Sequence, residues 1–269
     1  MAICLPCGAS GRARSWSPDY NDAAGPLLSP GRHTCFAGVC PEPWWIYWPA
    51  RAMSRRKERM KLHWSTRSPY VRKVMAAAIE TGLDASIQTR LSIVSLSTVN
   101  ADVERDNPLG KIPTLVTDEG VALYDSLVIC EYLDHHSRKG RLFPREFDQR
   151  LEALRWHALG NGLTDILILW NNERGRDPAL QSPAHLSSYR AKTLATLDAL
   201  EATVDELDRR EFDIGHLGVA VGVGHADFRF ADLQWRATRP RLSAWADSMA
   251  ERESLRRTVQ FDPRLQKPG

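Results

Sequence analysis

The sequence predicts an α/β unit followed by an all-helical region. Between residues 60 and 136, short apolar β runs and amphipathic helical stretches alternate in the order β-α-β, a connection, then β-β-α. Beyond residue 147 apolar residues recur only at helical spacing. Pro69, Gly82, Pro113 and Gly120 punctuate the boundaries of the runs between residues 60 and 136.

Leu62-His63-Trp64 is the first strand, and Ser65 to Ser68 a loop. Ser68 is a favoured N-cap and Pro69 fits the first helical position, while Val71, Val74, Met75, Ala78 and Ile79 recur on one buried helical face that Gly82 ends. Ile87 to Leu91 reads as the second strand, and residues 97–106 as an irregular or short helical connection. Asn107-Pro108 and Gly110 are turn signals, and Thr114 to Val116 and Val121 to Leu123 are β runs joined at Asp118-Glu119-Gly120. Asp125-Ser126 opens a helix that runs to His136. Pro113 marks a strand start, a bend or a cis bond. The bend leaves the Ile112 peptide without a neighbouring strand, and an unpaired peptide beside a helix N-terminus is a dock for a peptide-like anion. A parallel first pair with an antiparallel hairpin beside it is the pattern of a thioredoxin-like domain.

Ser137 to Pro144 is basic, contains Gly140 and closes on Phe-Pro, as a linker would. Leu151, Leu154, Ala158, Gly162, Ile166 and Leu169 then mark one helix, and Leu197, Leu200, Val204 and Leu207 a second, with Asp177-Pro178 and Ser182-Pro183 between them. Leu217 to Val223 is apolar on all sides and predicts a central buried helix that Asp213 caps, with Gly218 and Gly222 allowing close helix approach. Pro240 begins a further helix with Leu242, Trp245, Ala246 and Met249 inward.

Residues 1–59 differ in kind: they hold four of the five cysteines, seven of the sixteen prolines and no regular periodicity. They are expected to be a disordered extension or upstream sequence ahead of a start at Met60. Cys4-x-x-Cys7 with Cys35 and Cys40 lacks the spacing of a metal knot, and His135-His136 lacks ligand spacing, so no metal is expected. The same segment carries eight Lys/Arg against four Asp/Glu, leaving the remainder at 28 against 29. A near-neutral body argues against a nucleic-acid partner. The uncharged run Pro43 to Ala50 is far shorter than the ~20 apolar residues a membrane span needs, and without a secretory signal a cytoplasmic protein is expected.

From Met60 to about Pro263 the chain resembles the glutathione transferases, in their soluble bacterial branch. The resemblance is carried by Ser-Pro-Tyr-Val-Arg-Lys at 68–73, Asn-Pro-Leu-Gly-Lys-Ile-Pro at 107–113, Tyr-Asp-Ser at 124–126, and Asp227-Phe-Arg-Phe followed by Arg239-Pro-Arg-Leu-Ser-Ala-Trp245. It implies a thioredoxin-like glutathione-binding domain at 60–136, a linker at 137–147, an all-helical domain at 148–263 and a tail at 264–269, assembled as a homodimer. It also implies that Pro113 is a cis-proline whose neighbour Ile112 pairs through its backbone with glutathione. Lys111 would lie near the glycyl carboxylate, and Asp125 and Ser126 would take the γ-glutamyl end at a helix N-terminus. For Asp125 and Ser126, capping alone is the plainer role, and the two are compatible.

Conjugation chemistry needs the glutathione thiol, ordinarily near ~8.5, shifted toward thiolate at neutral pH. A hydroxyl donating to sulfur at the N-terminus of the first helix supplies energy of that order. Ser68 is the first choice, Ser65 the second, and Thr66 shares the loop. The loop has no cysteine, and Val71 stands where a dithiol motif would place its second sulfur, so a glutathione-dependent reductase or dehalogenase is disfavoured. Cys130, in an apolar run, reads as buried and inert. His216 replaces the acidic residue that relatives use in the cap of the buried helix, which predicts a weakened cap. The electrophile pocket is expected around Asn161, Asp165 and Leu169, taking a small apolar electrophile. The alternative is a binding or regulatory protein that keeps the scaffold without catalysis.

Overall fold

The computed structural model describes residues 59–263. The expectations for residues 1–58, including the four N-terminal cysteines, and for the tail at 264–269 lie outside them.

Strand β1 (Met60–Trp64) is followed by α1 (Pro69–Glu80), β2 (Ile87–Leu91), the short α2 (Ala101–Asp106), the hairpin β3 (Thr114–Val116) and β4 (Ala122–Leu123), and α3 (Ser126–His135). The sheet order is β2-β1-β3-β4. β1 pairs parallel with β2 and antiparallel with β3 through Lys61↔Val116, Leu62↔Leu115 and His63↔Thr114, and β3 pairs antiparallel with β4. This is a thioredoxin-like arrangement. The β1–α1–β2 crossover permits the parallel pair, and Gly120, at φ +83°, closes the hairpin.

Ser68 caps α1 as its side chain accepts from Val71 N at 3.3 Å, and Pro69 occupies the first turn. Val71, Val74, Ala78 and Ile79 are buried and Met75 is half-buried. Gly82 ends the turn at φ +71°. After α3 the chain is helical: α4 (Phe147–Arg174), α5 (Pro183–Asp208), α6 (Ile214–Arg229), α7 (Pro240–Ala250) and the single turn α8 (Glu253–Arg256). The predicted linker is pinned rather than loose. Leu142 and Phe143 are buried, Asp134 of α3 accepts from both of their N–H groups, and Leu142 O accepts from Ile214 N.

α6 is the central helix, buried from Ile214 through Val223. It packs most extensively on α4, where a Cβ at Gly160 would stand 2.3 Å from the Gly218 carbonyl carbon, and one at Gly222 would stand 2.7 Å from Gly160 O. Three glycines thus let two backbones meet almost without side chains between them. The buried face of α4 is therefore Ala153, Trp156, His157, Gly160, Leu163, Thr164, Leu167 and Trp170. The residues whose spacing marks this helix lie in it but are not its buried face: Leu151, Ala158 and Leu169 are exposed, and Leu154, Gly162 and Ile166 half-buried. Gly160, His157 and Thr164 stand with Leu163 at the close contact with α6, on a different side of α4 from Leu151 and Leu169.

The cap of α6 also differs from expectation. Asp213 accepts from Gly215 N at 2.9 Å and His216 N at 3.2 Å, and His216 Nδ1 accepts from Asp213 N at 3.2 Å, so the capping box is reciprocal with an imidazole in the acidic residue's place. The same nitrogen lies 2.9 Å from Asp213 Oδ1, to which it donates instead when it carries the proton.

Candidate active site

The strand register gathers three segments at one end of the sheet. His63 pairs with Thr114, so Ser65, two residues past His63, and Ile112, two residues before Thr114, leave the sheet together. Leu123 pairs with Leu115, so Asp125-Ser126 emerges at that end too. The N-termini of α1 and α3 follow from these segments, and both direct backbone N–H groups and the positive end of the helix dipole there.

Each segment is held locally. Asn107, 1% exposed, donates through Nδ2 to Lys111 O at 3.2 Å and Thr114 Oγ1 at 2.9 Å, while its Oδ1 accepts from Leu109 N at 3.0 Å. A residue read from sequence as a turn former is thus the clamp of the whole 107–114 bend. Gly110, at φ +62°, lets the bend close. The Ile112–Pro113 peptide bond is cis, Ile112 is buried, and Lys111 is exposed at the rim. Asp125 caps α3 by accepting from Leu127 N at 3.1 Å and is itself exposed, whereas Ser126 is 2% exposed at the first helical position.

In the β1–α1 loop, Ser65 Oγ accepts from Arg67 N at 3.3 Å and Ser68 Oγ accepts from Val71 N at 3.3 Å. Both bonds use oxygen lone pairs, so each hydroxyl proton stays available for an acceptor placed at the helix N-terminus. Cys130 lies on α3, fully buried, and burial pushes its thiol up to about 12.

Sequence reasoning placed Asn161 and Asp165 at the site but not their partners. The Tyr70 hydroxyl donates to Asp165, and Asn161 Nδ2 donates to the same carboxylate at 3.3 Å. Lys73, 2% exposed, donates to Asn161 Oδ1 at 2.7 Å and lies 2.9 Å from His157 Nε2. Burial pushes the Tyr70 hydroxyl up, reinforced by Asp165, and pushes the Lys73 ammonium down. Burial and the adjacent Lys73 charge hold His157 down to about 3. The polar row His157, Asn161 and Asp165, spaced by four residues along α4, was the available signal. Leu169 continues that row one turn further on and is 48% exposed.

Two helix N-termini, the Ile112–Pro113 bend and a loop of hydroxyls thus meet at one end of a thioredoxin-like sheet. Comparison with known proteins gives the family. A family model described as glutathione S-transferase, N-terminal domain, matches residues 67–136. The GST-like protein YibF of Escherichia coli K12 is 32% identical over 203 residues, covering 74% of this chain and 98% of the relative. Glutathione S-transferase stcT of Emericella nidulans is 30% identical, covering 64% and 78%. Among solved structures, a glutathione transferase family member from Pseudomonas fluorescens Pf-5 with bound glutathione is similar at 38% identity and TM-score 0.73, covering 76% of this chain and 100% of that one. A glutathione S-transferase from Methylobacillus flagellatus with glutathione bound is similar at 31% identity and TM-score 0.68, covering 75% and 100%. The chain belongs to the glutathione S-transferase family.

Among the described residues no helix is long and apolar enough to cross a membrane, and no group of three or more His, Cys, Asp or Glu could hold a metal ion.

Proposed function

We propose that the protein is a glutathione transferase that adds the glutathione thiolate to a small electrophile, working as a cytoplasmic homodimer. The observation that carries the reading is the convergence of the Ser65–Ser68 loop, the Ile112–Pro113 bend and the Asp125-Ser126 helix start at one end of the sheet. In this reading the Ile112 peptide pairs with the cysteinyl unit, the α3 N-terminus and Ser126 take the γ-glutamyl carboxylate, and Lys111 meets the glycyl carboxylate. Ser68 donates its free proton to sulfur, with Ser65 the alternative donor, and the α1 dipole adds to the stabilisation. Each unit of thiol pKa lowered corresponds to about 1.36 kcal/mol. The electrophile lies against Tyr70, Asn161 and Asp165, a polar wall that favours a small electrophile carrying a hydrogen-bond donor over the wholly apolar one expected from sequence, with Leu169 at its outer edge. Two structural neighbours that hold glutathione support the choice of thiol. Exposed Val128 on α3 and Phe147 and Leu151 on α4 supply an apolar face for a two-fold contact.

The test is titration of bound glutathione followed by thiolate absorbance in the ultraviolet. A thiol pKa well below that of free glutathione is expected. Binding with an unaltered thiol pKa would instead identify a non-catalytic binding protein.

A further inference from the structure

The last described residues form a strap that follows α1 from its C-terminal end back to its start. Arg252 holds Glu80 through Nε at 2.7 Å and Nη2 at 2.8 Å, and the Ser254 hydroxyl donates to the same carboxylate. Leu255 O accepts from Arg72 Nη2 at 3.4 Å, two turns of helix earlier. The strap then ends on the β1–α1 loop. Gln260 Nε2 donates to Arg67 O at 2.7 Å, and Phe261 N donates to Thr66 O at 3.3 Å.

Gln260 is 7% exposed, and its amide is itself held. His225 of α6 presents Nδ1 at 3.2 Å from Nε2 and 3.4 Å from Oε1. Burial holds His225 down to about 4, so a neutral ring faces the amide. Arg67 and Thr66 lie between Ser65 and Ser68, the latter bonded to the first turn of α1, so the strap fixes the backbone that joins the two serines.

We propose that Gln260 is a positioning residue for the sulfur-contacting loop: by holding the Arg67 carbonyl it sets the peptide that carries Ser68. The assignment rests on reading that loop as the thiol-contacting part of the glutathione site. A catalytic hydroxyl must be held to within about 0.5 Å of its productive place, and a loop without strand partners reaches that only with outside support. Gln260, itself buried, provides a short, part-buried bond that gives that support.

The test uses the full chain with Gln260→Met, which keeps the side-chain length and removes the donor. Hydrogen exchange is first measured without glutathione. The amides of residues 66–68 are expected to exchange about tenfold faster or more, the equivalent of losing one buried hydrogen bond, while amides inside α1 and β1 stay unchanged. Glutathione affinity should remain within about threefold, since the Ile112 and Ser126 contacts are untouched, while the bound thiol's pKa rises toward that of free glutathione. Phe261→Pro, which removes the neighbouring N–H donor and constrains the backbone of Gln260, should act in the same direction and covers the case in which Gln260→Met does not fold. Unchanged loop exchange in the folded variants overturns the proposal. So does a loosened loop whose bound thiol titrates as in wild type, where wild type lowers the pKa. If wild type leaves the thiol unaltered while the variant still loosens the loop, the thiol-activating reading falls and the positioning by Gln260 stands.

Discussion

Lys73 and His157 form a buried pair in which an ammonium donates to a neutral imidazole. Nζ lies 2.9 Å from Nε2, and the two residues are 2% and 4% exposed. Asn161 Oδ1 takes a second Lys73 proton at 2.7 Å, which ties α1 of the sheet unit to α4. Because Nε2 accepts, the ring proton sits on Nδ1.

His157, together with His225, contributes to the acid sensitivity of the fold. His157 is held down to about 3 and His225 to about 4 in the native state, against an ordinary value near 6.5. Both are groups of depressed pKa that must stay neutral. Their contribution is fully present above pH 6.5 and is lost as pH falls toward 4 and then 3, because the unfolded chain takes up protons that the native chain refuses. Each contributes a slope of up to about 1.36 kcal/mol per pH unit in that window. Urea unfolding at pH 7, 6 and 5 should show the loss, and His157→Gln should reduce the slope by close to one proton.

Removing the cation should release its neighbour. In Lys73→Met the Coulombic part of the His157 shift disappears while burial remains, so the imidazole should titrate at higher pH than in wild type. The Cε1 proton resonance of His157 followed against pH gives the answer. An unmoved titration would mean that burial alone sets its pKa.

The contact between α4 and α6 predicts two opposite outcomes for one chemical change. Gly160→Ala places a methyl 2.3 to 2.4 Å from backbone atoms of Gly218 and Val219, which cannot yield as a side chain would. A loss of about 3 kcal/mol or more is expected, with a correspondingly lower Tm. Gly162→Ala, one half-turn away, meets nothing within 4 Å and should stabilise by about 0.5–1 kcal/mol through helix propensity. Thermal unfolding of the two variants side by side makes the comparison.

Ser68→Ala separates capping from chemistry. Loss of the bond from Val71 N should cost about 1 kcal/mol of stability at every pH. Loss of the donor to sulfur should lower turnover at neutral pH more than at high pH, where glutathione ionises unaided. A pH–rate profile in which the deficit is equal throughout, or absent, assigns Ser68 to the cap alone and moves attention to Ser65.

Much of this molecule was legible before its structure. The strand and helix order followed from apolar runs bounded by Pro69, Gly82, Pro113 and Gly120, since these residues act on their own backbone and need no distant partner. What the sequence concealed was set by contact. The inner face of α4 carries Gly160, His157 and Thr164 beside Leu163 because the glycines of α6 bring the two backbones together there. Lys73 looks like an ordinary solvated lysine until His157 and Asn161, more than 80 residues away, enclose it. Asn107 read as a turn residue, and only its three hydrogen bonds show it clamping the bend. The Gln260 bond spans 193 residues and leaves no local trace.

That span has a consequence for the order of events during synthesis. The bond between Gln260 and the Arg67 carbonyl has a sequence separation of 193 residues, so the loop waits for a segment synthesised long after it. A nascent chain can close its sheet and stack α4 on α6 while that loop is still loose. The Ser65–Ser68 loop is therefore among the last places to become native, so an aborted chain lacking the strap would carry the scaffold without a finished site.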